Sequence, residues 1–146
     1  MPFFFTDDSF ISEGTSNLAE KFRTIGDDIL DAGHTVEKHV AQTNQDLIKR
    51  AFQEGVDASS FTNQRTAIDA VKEALRKNTD DIAAWLANPE SGKKAFTTLH
   101  NNPIGKGVQA GKNTVVEGIT QSTIVLVKDA TQEFGFKVLT AFPKVQ

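Results

Sequence analysis

TIVLVKDATQEFGFKVLTAF, Thr123–Phe142, holds the two clearest strands of the chain. β-Branched and aromatic residues crowd Thr123–Lys128 and Phe134–Phe142, and the polar connector Asp129–Glu133 between them reads as the turn of a hairpin. Phe134, Phe136 and Phe142 share the same strand parity, which places them together on one core-filling face.

Working back from this hairpin, the periodicity changes from two to 3.6. Ala95–His100 is β-compatible, Asn101-Asn102-Pro103 is a turn, and the region of Gly105, Gly107 and Gly111 reads as loop or irregular strand. Before Pro89 the pattern is helical. Asp80–Ala87 carries Trp85, which is read as core, and a helix opened by Thr62 carries Ala67, Ile68, Val71 and Leu75 on one face. Ala58–Phe61 is a short extended piece. Thr43 with Asp46 forms a capping pair for a helix striped by Leu47, Ile48, Ala51 and Phe52, and Gly55 closes it. His34–Val40 is a short helix. Leu18, Phe22, Ile25 and Ile29 recur at helical spacing in an acidic amphipathic helix ending near Gly33, so residues 1–32 are expected to be a lead-in and 33–146 the main domain. Helices first and strands later define an α+β domain, with N-terminal helices packed on a curved antiparallel sheet.

Composition narrows the chemistry. A chain of 146 residues suits one full-sized core, and the absence of cysteine excludes disulfides, thiol nucleophiles and cysteine-based metal sites. The longest apolar run, Ile124–Val127, is too short to span a membrane, so stable membrane insertion is not expected. Met1–Phe5 lacks a basic region before it and precedes Asp7 and Asp8, which argues against a cleavable signal peptide. Charge is segregated: residues 1–90 hold 9 Lys+Arg against 16 Asp+Glu, whereas residues 91–146 hold 7 against 3. The net +4 of the second part reads either as chance segregation over solvated faces or as an electropositive face for a phosphate backbone.

The glycine-rich stretch Gly105–Asn113 is not a Walker A loop. Five residues separate Gly105 from Gly111 where four are required, and Asn113 follows Lys112 in place of the magnesium-binding hydroxyl. It reads instead as a flexible loop with Lys106 and Lys112 near a substrate. His34 and His39 lie five residues apart, about 140° around a helix, which does not make a metal pair. No metal and no cofactor are expected.

Several separated motifs, in order, resemble the bacterial RNase A-like toxin domain found at the C-terminal end of contact-dependent growth inhibition proteins and other polymorphic toxins. They are Gly33-His34-Thr35, Lys38-His39-Val40, Leu47 with Arg50, Ser59-Ser60-Phe61-Thr62, Ile82 with Trp85 and Leu86, Ile104-Gly105-Lys106-Gly107, Val125–Asp129 and Val138–Pro143. The resemblance covers roughly residues 33–143. It implies a pancreatic-ribonuclease-like fold without disulfides and a metal-independent ribonuclease cleaving RNA by 2′-hydroxyl attack. It also implies a cognate immunity protein, a larger delivery protein or secretion system, and action in the target-cell cytoplasm. The family's catalytic histidine, arginine and late threonine map onto His39, Arg50 and Thr140. Phe142 stands where the family commonly has tyrosine, and phenylalanine neither donates nor accepts a proton.

The chemistry needs a base for the 2′-hydroxyl, an acid for the leaving 5′-oxygen and a cation for the phosphorane. His39 suits the first or second role and Arg50 the third. The second acid or base is open between His34, His100, Lys38 and Lys106, with Lys106 and Phe142 as substrate contacts. The alternative is a catalytically weak relative that acts as an RNA- or protein-binding module.

Overall fold

The computed structural model describes residues 17–145. Six strands form two three-stranded antiparallel sheets. The first has the order β1 (Ala58–Phe61), β3 (Gly105–Val108) and β4 (Val115–Ile119), and the second β2 (Lys93–Leu99), β5 (Gln121–Lys128) and β6 (Phe136–Pro143). Only Thr120 separates β4 from β5, so one ribbon of chain serves both sheets and bends between them. The expected curved sheet therefore takes the form of two sheets meeting along a shared edge region. β6 lies at the junction: a Cβ on Gly105 of β3 would stand 2.8 Å from Pro143 and 2.2 Å from the Ser60 carbonyl, so only glycine fits there.

The helices are α1 (residues 17–22), α2 (Thr35–His39), α3 (Asn44–Gln53), α4 (Gln64–Lys77) and α5 (Thr79–Ala87). α4 begins at Asn63, whose side chain accepts from the Thr66 backbone N–H, and not at Thr62. Its buried face, with Ala67, Ala70, Val71, Ala74 and Leu75, lies on the second sheet, and the alanines allow close approach. Trp85 of α5 completes this core against Phe96 and Phe136, as expected. A smaller core of Leu47, Ala51, Ala58 and Val108 holds α3 on the first sheet.

The N-terminal segment departs from the expected single helix. α1 ends after Phe22, Gly26 is extended, and a 3₁₀ turn spans Asp27–Leu30. Asp27 binds both Arg65 and Lys72 of α4, which hold its carboxyl well below the ordinary range and pin the turn where a continuous helix would swing away. Leu18, Phe22, Ile25 and Leu30 are buried in the main core. Nearer the site, the irregular-strand reading of the glycine region holds for Gly105–Val108, a buried central strand whose pairing with β4 shifts register between Gly105 and Gly107, and the flexible-loop reading does not. β4 was not anticipated, because Val-Val-Glu-Gly-Ile carries too little apolar signal.

Candidate active site

His39 closes α2 and is buried. Its Nδ1 lies 3.1 Å from the Ser59 carbonyl oxygen, which can only accept, so Nδ1 carries the proton and the neutral ring presents its Nε2 lone pair. Burial lowers the basicity of His39. The bond to Ser59 partly offsets this, and the charges of Arg50 and Lys38 lower it further. The chain after His39 is stitched to β1. Val40 bridges Phe61 in parallel, the Ala41 N–H donates to the Phe61 carbonyl at 3.2 Å, and the Gln42 N–H donates to Ser60 Oγ at 2.9 Å. Ala41, two residues after the histidine, takes a left-handed φ of 55°.

A β-bulge brings the end of the chain to His39. Val125 opposes Thr140 and Leu126 opposes Val138, which leaves Leu139 as the extra residue in β6. The extra residue reverses the parity of the rest of the strand. Phe136, Val138 and Ala141 point into the core, whereas Thr140 and Phe142 lie on the opposite face. The three phenylalanines thus do not share a face. Phe134 and Phe136 fill the core, and the Phe142 ring lies 5.4 Å from that of His39, tilted by 46°. The bulge is held by the start of α2. The His34 N–H donates to the Leu139 carbonyl at 2.9 Å, and a Cβ on Gly33 would stand 2.2 Å from the Val138 oxygen and 2.4 Å from the Leu139 oxygen. Thr140 Oγ1 is buried with no hydrogen-bond partner. Leaving such a hydroxyl unpaired costs about 1–3 kcal/mol.

The remaining candidates separate. Arg50, on α3, is half-buried, lies 3.5 Å from Glu54 through Nε, and is close enough for its charge to act at His39. A capping box, Thr43 with Asp46, fixes the start of its helix. Lys38 is exposed and also acts at His39. His34 is exposed, with Nδ1 3.3 Å from the Glu37 carboxylate. Lys106 donates to Asn44 Oδ1 at 2.6 Å and lines a cleft of about 570 Å³ with Thr43, Thr62 and Glu117, a cleft that does not include His39.

His100 belongs elsewhere. Its register neighbours Thr98 and Ser122 face the core side of the second sheet, away from Thr140 and Phe142. Its Nδ1–H donates to Glu73, and Nε2 is paired with Ser122 Oγ at 2.7 Å. Both ring nitrogens are committed to holding α4 against the sheet, so His100 is not placed to be the second acid or base of this site. Among the described residues no group of three or more His, Cys, Asp or Glu is arranged to hold a metal ion. Ser59 entered the sequence reading only as part of a motif and not as a site residue, because it acts through its carbonyl, for which the sequence holds no side-chain signal.

Two sheets meeting at a tautomer-fixed histidine, with the charge of an arginine acting on it and no cysteine, make a disulfide-free α+β domain, the fold class that the resemblance implies. The family described as "Bacterial CdiA-CT RNAse A domain" matches residues 33–143, and the chain belongs to that family. A chain of the crystal structure of the CdiA-CT/CdiI complex from Y. kristensenii 33638 is similar at 29% identity, over 77% of this chain and 100% of that one, with a TM-score of 0.72. No curated protein matches.

Proposed function

We propose that the domain is a metal-independent endoribonuclease toxin that cleaves RNA through its own 2′-hydroxyl. The observation that carries this reading is His39: the Ser59 carbonyl holds the Nδ1 proton, and burial keeps the ring neutral near pH 7 with Nε2 free to take a proton. Nε2 removes the 2′-hydroxyl proton, the 2′-oxygen bonds to phosphorus, and the bond to the 5′-oxygen breaks. The products are a 2′,3′-cyclic phosphate and a 5′-hydroxyl. Arg50 stabilises the charge that grows on the phosphoryl oxygens, to which its planar donors are matched. The proton for the departing oxygen comes from the α2 side of the site. Lys38 is favoured over His34 there, because its charge acts at His39 while His34 is engaged with Glu37. Thr140 lies on the same face of β6 as Phe142, and its unpaired hydroxyl bonds the substrate once rotation about χ1 brings Oγ1 out of cover.

The family and the CdiA-CT/CdiI complex support two further parts of the reading. The domain is carried by a larger delivery protein to act on RNA in the cytoplasm of the target cell, and a small immunity protein binds and blocks it in the producer. No helix among the described residues is long and apolar enough to cross a membrane. Induced expression inside bacteria tests the reading: wild type should degrade cellular RNA and stop growth, while His39→Ala, accumulating to the same level, should do neither. Growth arrest with intact RNA would refute it.

A further inference from the structure

No described element covers the outer face of β2 and β5, and that face runs on directly from His39. Directly opposed residues of antiparallel strands share a face, so the register sets three cross-strand rows: Thr97–Thr123–Phe142, Ala95–Val125–Thr140 and Lys93–Val127–Lys137. The first row carries the ring packed against His39 together with two hydroxyls, Thr97 Oγ1 and Thr123 Oγ1, 3.2 Å apart. The second is made of small side chains, Ala95 and Val125 beside the site residue Thr140. The third ends in two lysines. Lys93, Ala95 and Thr97 are exposed, and Thr123, Val125, Val127 and Lys137 are half-buried. Thr123 and Val127 are four residues apart, which sets the hydroxyl pair about 14 Å from the lysine row.

We propose that this face is a track for single-stranded RNA, with the Thr97–Thr123 pair contacting the nucleotide next to the scissile phosphate and Lys93 and Lys137 contacting a phosphate further along. The proposal rests on the ribonuclease reading for its direction, since the strand is taken to start at His39. Three features favour RNA over a protein partner. The middle row lacks the Trp, Tyr or Arg anchors on which protein interfaces rely. The far row supplies cations on the half of the chain that is net positive. A threonine hydroxyl can donate and accept, so the shared pair retains capacity to bond a base edge. Asp129, whose charge reaches Lys137, is itself held by Thr131. The rival route, the Lys106 cleft, is poorer for a phosphate because Lys106 is already bound by Asn44 and Glu117 lines the same space.

Binding of the full chain to a short 2′-O-methylated oligonucleotide, which has no free 2′-hydroxyl to attack, tests the track without cleavage. Lys93→Gln with Lys137→Gln should weaken binding at low salt by about tenfold, and should lower the slope of log affinity against log salt by about 0.7 for each lysine removed. The matched pair Lys21→Gln with Arg23→Gln, on α1 and the turn after it, should bind like wild type. Thr97→Val with Thr123→Val should change the preference among A, C, G and U oligonucleotides while leaving the salt slope unaltered. Equal binding by wild type and the two-lysine variant, no binding by wild type, or the loss appearing in Lys106→Gln instead, would overturn the track. Binding as expected alongside unmodified RNA left uncut would leave the track standing and refute the ribonuclease reading alone.

Discussion

His39 donates Nδ1–H to the Ser59 carbonyl at 3.1 Å, so a backbone oxygen on β1 decides which nitrogen of a buried histidine faces the substrate. Two links of the chain of causes meet here. The short strand Ala58–Phe61 supplies the acceptor, and the Val40–Phe61 bridge directly after His39 holds the end of α2 beside it.

Burial gives this histidine a pH signature. The folded state holds His39 below the ordinary value of about 6.5, so between those two values the unfolded chain binds more protons than the native one. Stability from this source is fully present above pH 6.5 and is lost as pH falls through the folded value. Thermal unfolding followed from pH 8 to pH 5 should show wild type losing stability in that window, and His39→Gln losing less. Parallel curves would contradict the assignment.

Phe142 sets its ring 5.4 Å from His39 at a position where a hydroxyl would add a proton donor. Phe142→Tyr should raise the RNA cleavage rate by at least about tenfold, within the range of a positioned acid or base. An unchanged or lower rate, with unchanged melting temperature, would mean that a hydroxyl at this position does not reach the departing oxygen, and would leave Lys38 as its proton donor.

Thr140 holds a buried hydroxyl without a partner. Thr140→Val removes an unpaired polar atom, so the protein should be equally stable or gain about 1 kcal/mol. If the hydroxyl serves the substrate, cleavage should nevertheless fall by at least about tenfold. Full activity in a stable Thr140→Val protein would remove Thr140 from the site.

Gly33 touches the bulge that aims Thr140 and Phe142. Its substitution by alanine forces a Cβ to within 2.2 Å of the Val138 oxygen. Overpacking of this kind costs about 1–3 kcal/mol, and the strain falls on the bulge itself. Gly33→Ala should lower the melting temperature and, in the fraction that folds, reduce cleavage. Normal stability would show that α2 can move off β6 freely.

Much of this arrangement was legible in the sequence, for physical reasons. Thr43 and Asp46 announce a helix start because a capping box is local chemistry, and the alanine-rich stripe of α4 announces its buried face because 3.6-residue periodicity is local too. The hairpin Thr123–Phe142 was equally plain, but its bulge was not. An extra residue at Leu139 leaves no mark in hydrophobic alternation, and it alone moved Phe142 from the core to the side of His39. His100 read as a free acid or base because its partners, Glu73 and Ser122, are 27 and 22 residues away in the chain. Separation of that kind is set by packing, and no spacing rule reports it.

If His39 drives 2′-hydroxyl attack without a metal, the cleavage products carry the signature of that attack. RNA incubated with the purified chain in excess EDTA should be cut to fragments ending in 2′,3′-cyclic phosphate and 5′-hydroxyl, and folded His39→Ala should be slower by at least about a hundredfold. Intact RNA under those conditions at high protein concentration, or equal cleavage by the folded His39→Ala variant, would contradict the account.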